Sequence, residues 1–137
     1  MNPHACPDPM QEHAAMRQAL HAACCAVIAG EVEVARSQLD ALATMQAEHI
    51  HYEEAVLLPR LPPQPRWPAG VYRAEHRKLE SLLQRIRSQW RRLPSRVEDP
   101  AQRLALLDAL HPLRHVAEHH FAREEQALFS EIQVAAP

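Results

Sequence analysis

Glycine is nearly missing from this 137-residue chain, which has 2, and aromatic residues make up only 4% of it. Alanine, leucine, glutamine, glutamate and arginine fill the space instead, and these are strong helix formers. The 3 cysteines (Cys6, Cys24 and Cys25) are odd in number and lack CxxC spacing. Cys24 and Cys25, adjacent on a helix, cannot easily bond to each other. That excludes a disulfide framework and fits a reducing, cytoplasmic setting. No apolar run approaches the roughly 18 residues a membrane span needs, and the N-terminal segment lacks an apolar signal core. Neither charge sign is in excess: 15 basic and 17 acidic residues interleave to a net charge of −2. No basic footprint for nucleic acid results. With 47% apolar residues, one domain with one core is expected.

What the chain does have is histidine, 10 in all, and a motif written twice. His49-Ile-His-Tyr-Glu53-Glu54 returns as His120-Phe-Ala-Arg-Glu124-Glu125. Upstream, Glu12-His13 precedes the first copy and Glu75-His76 the second. A histidine and a glutamate four residues apart lie on one face of a helix. Inward-facing histidines and glutamates would each cost several kcal/mol unless something inside pairs with them. A metal centre is the natural partner.

The chain in order predicts four helices. Residues 1–8 read as an irregular tail, and residues 9–133 as the folded domain. Asp8-Pro9-Met-Gln11 is a helix start, an acidic N-cap followed by proline at the first helical position. The first helix is expected to stop at Gly30, the second to run from Glu31 to Leu58. A proline-rich crossover over residues 59–68 leads to the third, which ends before Pro94. Asp99-Pro100 repeats the start signal, and the fourth runs to about Gln133 with a bend near Asp108 caused by Pro112. Short, long and short connections fit an all-α, up-down-up-down four-helix bundle.

Height and direction agree on the ligand layer. His13 lies about 16 residues before the Gly30 turn and His49 about 18 after it, so at ~1.5 Å per residue they share a level. His76 and His120 stand about 17 and about 20 residues either side of the next turn, at the same end of the bundle. At 100° per residue, His49 shares its face with Leu42, Met45, Glu53, Val56 and, at the edge, Leu57. His120 shares its own with Leu113, Val116, Ala117, Glu124 and Ala127; His76 with Leu79, Leu83 and Ile86; and His13 with Met16, Leu20, Cys24, Val27 and Ile28. A lone histidine there would be a satisfied core residue. Four at one height, with two glutamates one turn on, are not explained that way.

Competing motifs weigh less. His115-Val-Ala-Glu118-His119 matches an inverted zinc-peptidase signature, but lies off the apolar face. Glu48-x-x-His51 with Asp108-x-x-His111 has the spacing of a di-iron pair, yet the two fall at different heights. Cys24 and Cys25 read as small core residues, and Arg85, Arg87, Arg91 and Arg92 as a solvated face. His4 and Cys6 belong to the tail.

The full set, His13, His49-x-x-x-Glu53, Glu75-His76 and His120-x-x-x-Glu124, resembles the hemerythrin-like family of HHE cation-binding four-helix bundles. The resemblance implies two non-haem irons, with His13, His49, His76 and His120 as terminal ligands and Glu53 and Glu124 as bridges. Imidazole with carboxylate also suits manganese or zinc as substitutes. The oxygen carriers of the family have a further histidine on the third helix, where this chain has Tyr72, a candidate ligand, a hydrogen-bond donor to a bound oxygen species, or a core tyrosine whose hydroxyl meets the backbone. Their fourth helix spaces histidine and aspartate by five, against four between His120 and Glu124 here. Redox handling of peroxide, oxygen or nitric oxide in stress response is therefore expected before reversible carriage. The alternatives are a sensing or storage module and an interaction module with a structural metal. The implied partner is a small molecule; no nucleic acid or membrane is expected, and the chain would be a monomer or homodimer.

Overall fold

The computed structural model describes residues 7–135, and His4 and Cys6 lie outside them. Four long helices carry the chain: α1 (Pro9–Ile28), α2 (Val32–Tyr52), α3 (Ala69–Trp90) and α4 (Pro100–Arg123). A short α5 (Phe129–Ala135) continues α4 beyond an intervening turn. There is no strand among the described residues, only an isolated bridge between Glu31 and Arg96. α1 packs on α2 and α4, and α3 packs on the same two helices.

The helix ends follow the local chemistry. Asp8 accepts from the Met10 and Gln11 amides, and Asp99 from that of Ala101, so each satisfies donors the first turn leaves free. At the other end of α1, Gly30 takes φ 77°. Its N–H reaches the Val27 carbonyl and that of Glu31 the Ala26 carbonyl, closing a Schellman turn. A side chain at Gly30 would also collide with the Val97 carbonyl and the Arg103 guanidinium, because Val97 donates to the Gly30 carbonyl from above. α4 runs unbroken through Pro112.

Two departures from the expected helices matter for the site. The second helix does not stay α-helical to Leu58. Glu53–Leu57 forms a π turn, closed by the Leu58 N–H on the Glu53 carbonyl, and Leu58–Arg60 a 3₁₀ turn. The fourth does the same at Glu124–Leu128, closed by the Phe129 N–H on the Glu124 carbonyl. Each π turn adds a residue and rotates the side chains beyond it about the helix axis. Leu57, expected at the edge of its face, is therefore buried, while Val56 is only half-buried.

Burial divides the core in two. The larger cluster contains Leu20, Ala23, Val27, Leu39, Leu83, Trp90, Leu110 and Leu113. Fully enclosed leucines such as Leu39 and Leu110 would each cost about 2–5 kcal/mol on truncation to alanine. A smaller cluster joins Leu57 and Leu128 at the ends of the π turns, Leu58, Phe129 and Ile132 after them, and Tyr72 of α3. His13, His49, Glu53, His76, His120 and Glu124 are all buried as well. Two expected core positions are outside: Ile28, at the last turn of α1, is 58% exposed, and Cys25 faces solvent while Cys24 is buried.

Candidate metal centre

Each long helix delivers one histidine to the buried layer, and the two π turns deliver the glutamates. Their ligand atoms form two groups, His13–His49–Glu53–Glu124 and Glu53–His76–His120–Glu124, each with its atoms within 4.8 Å of one another. Both groups contain both glutamates, and the carboxylates divide their oxygens between them. Glu124 Oε1 lies 2.8 Å from His13 Nε2 and 3.5 Å from His49 Nε2; its Oε2 lies 3.0 Å from His120 Nε2 and 3.4 Å from His76 Nε2. Glu53 turns Oε2 to His49 at 3.2 Å and Oε1 to His76 at 2.9 Å. Each half thus offers two imidazole nitrogens and two carboxylate oxygens, a four-donor set suited to a transition metal.

An outer ring fixes the orientation of the imidazoles. His13 Nδ1 donates to Glu125 Oε2, His49 Nδ1 to Glu12 Oε1 and His76 Nδ1 to Glu54 Oε2, each at 2.7 Å. His120 Nδ1 donates to Glu75 Oε1 at 2.9 Å. An ionised carboxylate can only accept, so each Nδ1 carries a proton and each Nε2 faces inward as the available donor atom. The four outer glutamates are half-buried, and three are held from outside by arginine: Glu125 by Arg17, Glu54 by Arg77 and Glu75 by Arg123. Arg123 also lies over the Trp67 ring at 4.3 Å, which ties the crossover to the site.

In the sequence, Glu12, Glu54, Glu75 and Glu125 stand out only as parts of a repeated word. Their role is not legible there because the partner of each lies on another helix. Within a copy, Glu12 serves His49 and Glu75 serves His120; between copies, Glu54 serves His76 and Glu125 serves His13.

The electrostatics describe a layer held by protons when no metal is there. Burial works against charge on His49, but the nearby carboxylates of Glu124 and Glu53 outweigh it and push the imidazole up to about 11. Burial is likewise outweighed at His76, which Glu124, Glu53 and Glu54 push up to about 10. Burial raises Glu53, while at Glu124 four histidines overcome burial and hold the carboxyl well below the usual range. A raised histidine stabilises the fold fully below its unfolded value near 6.5 and loses that contribution as pH rises through its folded value. The metal-free protein should therefore weaken in urea as pH climbs through about 10 to 11. His76→Ala should flatten that decline; an undiminished alkaline decline in this variant would show that other groups cause it.

Among the described residues, three buried side-chain atoms have no hydrogen-bond partner: Glu53 Oε2, His120 Nε2 and the Tyr72 hydroxyl. Buried polar atoms are rarely left so. The first two belong to the four-donor sets, close to His49 and Glu124 but not aligned for hydrogen bonds. A cation in each half-set would satisfy both, so the residues fit a metal. Tyr72 is wholly buried one turn from His76, in the apolar cluster beyond the glutamates; burial, with Glu131 and Glu124 nearby, pushes its hydroxyl up to about 12.

The histidines set aside are elsewhere. His51, His111, His115 and His119 are exposed, as are Glu48 and Asp108, and Glu118 is paired with Arg17.

No curated protein and no solved structure matches the chain. A family model does, the hemerythrin HHE cation-binding domain, over residues 68–137, just over half the sequence. That span holds His76, His120 and Glu124, while His13, His49 and Glu53 come from the other copy of the internal repeat. By sequence match and buried site alike, the chain belongs to the hemerythrin HHE cation-binding domain family.

Proposed function

We propose that this chain is a dinuclear non-haem iron protein that reacts with a small oxidant: peroxide, oxygen or nitric oxide. One observation carries the reading, namely that Glu53 and Glu124 each present one oxygen to either half of the site. His13 and His49 would hold one ion and His76 and His120 the other, with the two carboxylates bridging. Iron in such a site supplies one-electron redox chemistry at two adjacent ions; manganese or zinc are the alternatives for the same donors. Up-down-up-down helices bring the four histidines to one level.

The chain's own residues do the rest. The outer glutamates keep the Nδ1 protons in place, so that the Nε2 atoms stay fixed. Phe121 stacks on the His13 ring with centroids 4.3 Å apart, and Phe129 lies 5.3 Å away, so the pocket wall there is apolar and excludes bulk water. Tyr72 either binds iron through its phenolate or donates a hydrogen bond to a bound small molecule.

The test is reversibility. The reduced, iron-loaded protein should be oxidised by oxygen or peroxide and should not recover its starting spectrum under vacuum. Uptake and release through many cycles would make the protein a carrier instead. Tyr72→Phe separates the two roles of the phenol: loss of a visible absorption band in the ferric protein assigns ligation. An unchanged spectrum with altered reactivity assigns the hydrogen bond.

A further inference from the structure

Three histidines that the buried centre does not use form a row of their own. His111, His115 and His119 stand at four-residue intervals on α4, and all are exposed. Residues so spaced point from one helix face, one turn apart. Here the His111 and His115 ring centroids are 6.1 Å apart, and those of His115 and His119 4.4 Å. Glu118 lies between the last two in sequence, but Arg17 holds its carboxylate with contacts of 2.9 and 3.1 Å. The acid is thus engaged toward α1. That disfavours the peptidase-like reading of the motif, which needs a free carboxylate as base, and it leaves the imidazoles.

We propose that this row is a second metal-ion site, an exposed chelate for a borderline divalent ion such as Ni2+, Cu2+ or Zn2+. His115 is its shared member: paired with His119 it offers one two-nitrogen chelate, and paired with His111 another. His21, on α1, lines the same groove of about 350 Å³ as His111 and His115, with its Nε2 3.6 Å from Cys25 Sγ. Imidazole donors without carboxylate favour ions late in the Irving–Williams series, so the row discriminates against iron. The buried centre, with its two shared carboxylates, provides the harder donors. The two sites therefore divide ions by ligand chemistry as well as by burial. The second imidazole binds as an intramolecular ligand, and such linkage strengthens binding by roughly 10²–10⁴-fold over either donor alone.

The experiment is a calorimetric titration of the full iron-loaded chain with Ni2+. One saturable site per chain is expected. His115→Ala should weaken it by roughly 10²-fold. His111→Ala and His119→Ala, each of which leaves one chelating pair, should weaken it only a few-fold, and the two together should match His115→Ala. Helicity and iron content should stay unchanged in all of them, because the three side chains are exposed. Wild-type Ni2+ affinity in His115→Ala would overturn the proposal, as would loss of Ni2+ binding in His49→Ala with retention in His115→Ala.

Discussion

Glu124→Ala is expected to empty both halves of the buried centre, the largest single effect a substitution here should have. Its two oxygens touch all four histidines, from 2.8 Å at His13 to 3.5 Å at His49. Glu53 lies within ion-pair distance of two of them, His49 and His76. Each half would keep two imidazoles and one oxygen of the single remaining carboxylate, so Glu53 alone would have to balance the charge of both ions. Iron content after iron-replete expression should fall from about two atoms per chain to below one. The metal-free fold should suffer as well, because histidines charged through Glu124 would remain buried without their main counter-ion. Removing one partner of such a buried pair costs about 3–5 kcal/mol. His49→Ala should remove chiefly the half it shares with His13. His115→Ala and His119→Ala, which alter exposed side chains, should keep their iron. Elemental analysis of the four proteins decides the matter. Full iron in Glu124→Ala, with loss in His119→Ala, would move the centre to the surface of α4.

The fold was legible because its signals are local. Asp8 and Asp99 cap the helices they were expected to cap, and Gly30 turns the chain where the apolar pattern stops. The buried layer was legible because the repeat gave four histidines one height, and all four are buried together with Glu53 and Glu124. The π turns could not be read. A π turn is a poor local choice that packing imposes, and the sequence His49-x-x-x-Glu53 looks like any α-helical pair. Its consequence appears one turn on, in the exchange of Val56 for Leu57 at the core. Cys25 and Ile28 were misplaced as well. At the end of α1, Ala23, Cys24, Ala26 and Val27 fill the buried face, and Cys25 and Ile28, three residues apart, share the exposed one. The outer glutamates depend on contacts between helices, which periodicity along one helix cannot report.

Those outer glutamates carry the second large prediction. Glu125 Oε2 lies 2.7 Å from His13 Nδ1 and 2.8 Å from the Arg17 guanidinium, so one atom joins a surface cation to an inward-facing imidazole. Burial raises the Glu125 carboxyl, but Arg17 and His13 outweigh it and hold the group below its usual range. The carboxylate therefore stays ionised. It fixes the His13 tautomer with the proton on Nδ1 and adds basicity to Nε2. Glu125→Ala should leave His13 in place, since Phe121 stacks on its ring, yet free the imidazole to rotate and to carry its proton on either nitrogen. Metal affinity should fall by roughly 10–100-fold, mostly in the half that holds His13. Arg17→Ala should cost less, because the Glu125–His13 hydrogen bond survives it and Arg17 is partly open to solvent screening. Competition with a chelator of known affinity, run on the two variants beside wild type, measures both effects. Equal loss in the two would make the arginine, and not the carboxylate, the group that holds His13 in register.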